Sequence, residues 1–330
     1  MNRKQALTIL LAAALCVGLC ACGAKETAPT DTAAQTPAAE APLATAPPAT
    51  PAPETPPPTE EPEPTDPEGW YQKGLAAFEN EDYAEAVTWF EKAAALDHAM
   101  AQSYLGTCCR LGLGVAQSYE TALGWYERSA AQGCAAGQNN LGFCYENGLG
   151  VAQDFARAVE LYIQAARQGY ARAQNNLGAC YLTGRGVERD DAAAVALLEQ
   201  AADQGDPMAY YNLAQCWEKG RGYEKDCARA AEWYQKALDC GKELDDDGRV
   251  RAQYYLGMLY LDGKGVARDE DAAVDLIRQS AEGGFAKAQY RMGLFCEAGQ
   301  GVEQDQDEAR RWFELAAAQD YDLAKEKLAG

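Results

Sequence analysis

Residues 135–170, AAGQNNLGFCYENGLGVAQDFARAVELYIQAARQGY, hold the unit from which most of this 330-residue chain is built. Leu141, Cys144 and Tyr145 fall at three- and four-residue spacing, which predicts a first helix over residues 139–147 with one apolar face. Gly148 and Gly150 break it, with positive φ expected at one or both, and Val151 returns an apolar side chain to the core. Asp154 is placed to cap a second helix by accepting from its free backbone amides. That helix carries Ala158, Leu161, Tyr162, Ala165 and Ala166 on its inner face and ends at Gly169. Neither helix can bury its apolar face alone, so neighbouring units must supply the other wall.

The same unit recurs on both sides. Leu105-Gly106, Leu141-Gly142 and Leu177-Gly178 are spaced by 36 residues, and Leu213-Ala214 follows at the same step. Leu256-Gly257 comes 43 residues later and Met292-Gly293 another 36 on. A Gly-x-Gly travels with each, from Gly112 and Gly114 to Gly299 and Gly301. The capping column repeats as Asp190, Asp226, Asp269 and Asp305, and the ending-glycine column as Gly133, Gly205, Gly241 and Gly284. Self-similarity at this period means an all-α array of stacked helical pairs.

The combined pattern, Ala-x-x-x-Leu-Gly-x-x-Tyr-x-x-Gly-x-Gly-Val, then Asp, then Ala-x-x-x-Tyr-x-x-Ala-Ala-x-x-Gly, resembles the Sel-one-like repeat, a relative of the tetratricopeptide repeat. Six such units span residues 99–321. The resemblance implies a right-handed α-solenoid of stacked helix-turn-helix repeats, whose usual work is binding protein or peptide on a concave surface lined by first helices. Residues 68–98, with Gly74, Ala86, Phe90 and Ala93 on the motif's columns, resemble a tetratricopeptide unit without a two-residue loop extension. Residues 322–330 read as a polar partial helix capping the stack. Three departures stand out. Ala214 replaces a glycine where two helices should touch, and Asp320 replaces the last helix-ending glycine. Seven extra residues near 242–248 are expected to form a longer second helix and a polar loop. Their Asp245-Asp246-Asp247-Gly248 lacks the ligand spacing and closing glutamate of a calcium loop.

Ahead of the repeats, Arg3 and Lys4 precede an uncharged Ala/Leu-rich stretch at 6–19, too short to span a bilayer and typical of a signal peptide. Leu19-Cys20-Ala21-Cys22-Gly23 resembles the lipobox of bacterial lipoproteins, with Cys22 as the acylated residue after removal of 1–21; ordinary secretion without lipid is the alternative. Thirteen of the fourteen prolines lie between Pro29 and Pro67. Residues 22–67 therefore read as a disordered Pro/Ala/Thr/Glu-rich stalk, with a contour of about 140 Å at the polyproline II rise. The expected location is the extracytoplasmic face of a bacterial cell membrane, anchored there by lipid.

The chain carries a formal charge of −21 and a single histidine, His98. Acidic balance argues against nucleic acid, which needs clustered Lys/Arg. One histidine removes multi-histidine metal sites and makes a Ser-His-Asp triad improbable. Some secreted relatives in the resembled family are linked to penicillin binding or β-lactam hydrolysis, yet Ser-x-x-Lys and Lys-Thr-Gly are both missing here. No catalytic residue, cofactor or metal is expected. Cys108, Cys144, Cys180 and Cys216 share a column with Leu259 and Phe295, which marks a buried apolar position with mostly unpaired thiols.

By tetratricopeptide analogy, the position two before each Leu anchor faces the groove: Ser103, Asn139, Asn175, Tyr211, Tyr254 and Tyr290. Three residues further back lie Arg172, Arg251 and Lys287. The expected binding surface is thus Asn139, Arg172, Asn175, Tyr211, Arg251, Tyr254, Lys287 and Tyr290, with amides at one end and aromatic and basic groups at the other. Alternatively Tyr254 and Tyr290 pad contacts between units, as Tyr145 and Tyr181 are expected to do. The partner is a protein or peptide; a module that binds or modifies peptidoglycan or another glycan is the alternative.

Overall fold

The computed structural model describes residues 66–241 and 244–329. The signal stretch, Cys22 and residues up to 65 lie outside the described residues. All regular structure within them is helical, and no described helix is long and apolar enough to cross a membrane. The expected all-α solenoid is what forms. First and second helices alternate along the chain: α1 Pro67–Glu79, α2 Tyr83–Ala94, α3 Ala99–Leu111, α4 Tyr119–Ala131, α5 Ala135–Asn147, α6 Phe155–Ala166, α7 Ala171–Thr183 and α8 Asp191–Asp203. They continue as α9 Pro207–Lys219, α10 Cys227–Asp239, α11 Asp246–Asp262, α12 Glu270–Glu282, α13 Ala286–Ala298 and α14 Gln306–Ala317, with α15 Asp322–Ala329 at the end. Each helix packs chiefly on its neighbours in sequence, and from α1 to α11 each first helix also approaches the next first helix. The first helices therefore line the inner side of the stack.

The local signals do what their chemistry predicts. Asp154 accepts from the Arg157 amide at 2.9 Å, and Asp190, Asp226, Asp269 and Asp305 cap α8, α10, α12 and α14 in the same way. Gly148 and Gly150 both take positive φ, 67° and 72°. Asp320 adopts φ 62°, the left-handed position that glycine fills in earlier units, with its carboxylate 2.8 Å from Lys325 Nζ. The inner face of α6 is as expected at Ala158, Leu161, Tyr162 and Ala165, which are buried, whereas Ala166 is only half-buried. Cys108, Cys144, Cys180 and Cys216 are buried with Leu259 and Phe295 in their column. Burial pushes the thiols of Cys108, Cys180 and Cys216 up to about 12 and that of Cys144 to about 11, so thiolate is scarce at neutral pH.

Four details differ from the sequence expectation. First helices begin earlier: α5 starts at Ala135, not Asn139, because alanine and glutamine extend a helix readily. The first repeat also begins earlier than composition suggests, since Asp66 caps α1 by accepting from Gly69 N at 2.8 Å. Its loop 80–82 is four residues shorter than the loop 112–118 of the next unit, not two. Finally, the insertion lengthens the following first helix rather than the preceding second one. Helix α11 has 17 residues against 13 in α10. Asp245 starts it by accepting from Gly248 N at 2.6 Å, while Asp246 and Asp247 place negative charge at its positive end.

His98 serves the fold. Its Nδ1 accepts from the Ala101 amide at 3.2 Å as the cap of α3, its Nε2 donates to Glu68 at 3.1 Å, and its ring stacks on Tyr71. A row of glutamines stitches the ends of four second helices, α4, α6, α8 and α14, each to the first helix before it. Nε2 of Gln132, Gln168, Gln204 and Gln319 donates to Oε1 of the buried Gln102, Gln138, Gln174 and Gln289 at 2.7–2.8 Å.

Glu81, in the short α1–α2 loop, holds φ 63°. A non-glycine residue there costs about 1–2 kcal/mol, and glycine returns about 0.5–1 of that as unfolded-state entropy. Glu81→Gly is expected to raise stability by about 0.5 kcal/mol in urea unfolding; an equal loss would mean the side chain holds the loop.

Candidate binding groove

From Ser103 to Tyr211 the column two residues before the Leu anchor does not open to solvent, whereas Tyr254 and Tyr290 are half-buried. Ser103, Asn139, Asn175 and Tyr211 are 1–6% exposed. This corrects their assignment as exposed groove residues. Adjacent first helices lie side by side, and the column facing the neighbour is covered by it. What Ser103, Asn139 and Asn175 do instead is accept from the next column one repeat later. Asn140 Nδ2 donates to Ser103 Oγ at 3.2 Å, Asn176 Nδ2 to Asn139 Oδ1 at 3.0 Å, and Asn212 Nδ2 to Asn175 Oδ1 at 2.8 Å. Buried Asn139 and Asn175 also donate to Asn140 and Asn176, both at 3.3 Å. The result is an amide ladder running along the inner side from α3 to α9.

The outer rungs of that ladder, Asn140 and Asn176, are half-buried and line a cleft of about 270 Å³. Phe143 forms an apolar wall there, 36% exposed, with the Arg110 guanidinium 5.3 Å from its ring. Arg172, Asp206, Met208 and Asp245 close the far end. Asn139, Arg172 and Asn175 thus do meet at one cleft, whereas Arg110, Asn140, Phe143, Asn176, Asp206 and Asp245 were missed. The doublets Asn139-Asn140 and Asn175-Asn176 were the available signal for the ladder.

Tyr254 and Tyr290 are padding in large part. Tyr254 packs edge-on to Phe285 at 5.3 Å, and Tyr290 lies against Phe313 and Tyr321. Tyr145 and Tyr181 likewise pack between units. Arg251 is tied to Asp247 at 2.7 Å, while Lys287 is exposed and reaches the Tyr255 hydroxyl at 3.5 Å. Among the described residues no group of three or more His, Cys, Asp or Glu is arranged to hold a metal.

Asp206 is nearly fully buried and caps α9 by accepting from Ala209 N at 2.9 Å. Burial raises its pKa, opposed by the Arg172 charge and the amides of Ala209 and Met208. Asp245 is raised too, again chiefly by burial. A carboxyl whose folded pKa lies above its unfolded value costs stability when both states are ionised, and that cost disappears as pH falls into the ordinary carboxylate range. Asparagine caps as well as aspartate. Asp206→Asn is therefore expected to stabilise the protein at pH 7, the gain vanishing by about pH 4. Thermal melts of both proteins across that range test it, and a gain that grows on acidification contradicts it.

Comparison with known proteins gives the same architecture. The Sel1 repeat model matches residues 99–134, 135–170, 171–206, 207–242, 250–285 and 286–321, and a tetratricopeptide repeat model matches 61–100. Among curated proteins none matches. Among solved structures, a Sel1 repeat protein from Oxalobacter formigenes is 29% identical, with a TM-score of 0.64 over 75% of this chain and 96% of its own. A protective antigen present in uropathogenic Escherichia coli strains, displaying an SLR fold, is 32% identical, with a TM-score of 0.57 over 80% of this chain. The present chain covers 56% of that antigen's length. Six matched repeats over more than half of the sequence make this chain a member of the Sel1 repeat family.

Proposed function

We propose that this protein is a non-catalytic scaffold that binds an extended peptide segment of another protein along its inner surface, while held at the bacterial cell surface by lipid on Cys22. The observation that carries the reading is the amide ladder. Asn140 and Asn176 each spend part of their hydrogen-bonding capacity on the ladder and keep the remainder at the cleft. An Asn side chain offers a donor and an acceptor side by side, the complement of a peptide backbone. First helices about 9–10 Å apart would present one amide for every three residues of extended chain. Phe143 adds an apolar contact beside them. Sel1 and tetratricopeptide-like repeat proteins generally serve as interaction scaffolds, which agrees with this use.

The anchor rests on Leu19-Cys20-Ala21-Cys22 behind a charged and then apolar leader. A surface location also fits the relative described as a protective antigen. The test has two arms. Peptides selected from a random display library on the full-length protein should lose about ten-fold in affinity on Asn140→Ala plus Asn176→Ala, a loss of about 1.4 kcal/mol. Circular dichroism would establish that the variant is folded. Unchanged affinity, or capture of purified peptidoglycan in place of peptides, overturns the peptide reading. In cells, Cys22→Ala should leave the membrane fraction; retention there sinks the anchor.

A further inference from the structure

A second feature of the inner surface lies towards the C-terminus, at Tyr255 on α11. Lys219 Nζ, from the end of α9, and Lys287 Nζ, from the start of α13, each lie 5.9 Å from its ring centroid. Three successive first helices thus bring two ammonium groups to one tyrosine. Arg221 adds to this field: the Lys219 pKa is lowered first by burial and then by the charge of Arg221, with Lys287 adding to the effect and Glu218 opposing it. Arg291 lies close by, against Tyr254. Among the described residues, none of Lys219, Arg221, Lys287 and Arg291 forms an ion pair.

From residue 68 onward the chain holds 42 acidic and 26 basic residues, so carboxylates are plentiful elsewhere. Glu218 offsets part of this field at Lys219, but like charges held together without a direct ion pair still repel, and the repulsion is relieved when an anion arrives. We infer that Lys219, Tyr255 and Lys287, with Arg221 and Arg291 beside them, form a docking site for an extended Asp/Glu-rich peptide segment of a partner protein. This rests on the peptide-binding reading of the inner surface and adds the chemistry of the ligand. Carboxylates pair with the ammonium groups, and the aliphatic stems or prolines of the ligand lie on the tyrosine face. A nucleic acid brings one charge for roughly every 1.7 Å of duplex and would be repelled by the acidic remainder of the domain. A flat bilayer does not fit an inward-facing surface. A peptide with sparse charges meets the patch within a Debye length, about 8–10 Å, and escapes most of the long-range repulsion.

The experiment titrates the full-length protein with fluorescein-labelled decaglutamate, decaglutamine and a ten-residue oligothymidylate. Decaglutamate should bind about ten-fold more tightly than decaglutamine, and weaken about ten-fold between roughly 0.05 and 0.5 M NaCl. Lys219→Gln plus Lys287→Gln should remove that preference with the circular dichroism spectrum unchanged. Lys264→Gln, at an exposed lysine already paired with Asp262, should leave it intact. Equal affinity for the two peptides, indifference to the double substitution, or tighter binding of the oligonucleotide overturns the inference. So does an affinity that rises when Glu60, Glu61 and Glu63 are made Gln, since the chain's own acidic stretch would then be the occupant. Uncharged library peptides that still depend on Asn140 and Asn176 would show that this inference alone had failed.

Discussion

Gly186→Ala is expected to cost about 3–5 kcal/mol and to split the unfolding of the stack into separate steps. Two effects combine at this residue. Its φ is 70°, where alanine pays about 1–2 kcal/mol. A Cβ there would also collide with the carbonyl oxygen of Phe155, the first residue of α6 in the preceding unit. Backbone cannot swing aside as a flexible side chain can, so the loop or the helix start must move. The contact joins the second and third Sel1 units, and a repeat stack has little besides neighbour contacts to hold it. Gly169→Ala is the control. Its φ is 81°, but nothing lies within 4 Å of its would-be Cβ, so it should cost only the backbone strain of about 1–2 kcal/mol. Hydrogen exchange during urea unfolding reads both. If the two substitutions cost the same, the close approach between units adds nothing.

The contrast between these glycines shows how far the sequence could be read. The 36-residue step, the capping aspartates and the buried cysteine column were legible because each follows from one local rule. Gly150 and Gly186 were visible as helix breakers, but not as the points where one unit touches the backbone of the unit before. That role depends on distance across the stack, which periodicity does not carry. The groove was legible only to within one residue. Asn139 and Asn140 have the same chemistry and differ by a single helical step, so the sequence could not tell the covered column from the one at the cleft. The insertion was assigned to the wrong helix because its polarity suggested a loop, whereas the capping strength of Asp245 starts α11 early. The glutamine row went unread because isolated glutamines look like solvated surface; in the fold each buried glutamine is paired with another 30 residues later.

Tyr162→Ala should destabilise the protein by about 3–5 kcal/mol, while Tyr162→Phe should cost about 1 kcal/mol. Tyr162 is fully buried, and its ring fills the space a side chain on Gly142 would need, with the would-be Cβ only 2.8 Å from it. Removing the ring therefore leaves a cavity between the two helices of the unit. Its hydroxyl donates to Glu146 at 2.7 Å, but Glu146 also pairs with Arg185 of the next unit at 3.1 Å and would keep that partner in the phenylalanine variant. Leu198 and Ile277 fill the corresponding position in other units, so volume matters more there than the hydroxyl. Ala214 and Tyr234, the matching pair in the fourth unit, are both fully buried, so the scaffold accommodates one methyl beside a tyrosine. Gly142→Ala alone should accordingly cost only about 1 kcal/mol. Placed on Tyr162→Ala it should refill part of the cavity, leaving the double variant less destabilised than the sum by about 1 kcal/mol or more. Chemical denaturation of the four proteins in this cycle measures the coupling. Simple additivity would mean that the glycine and the ring are not one packing unit.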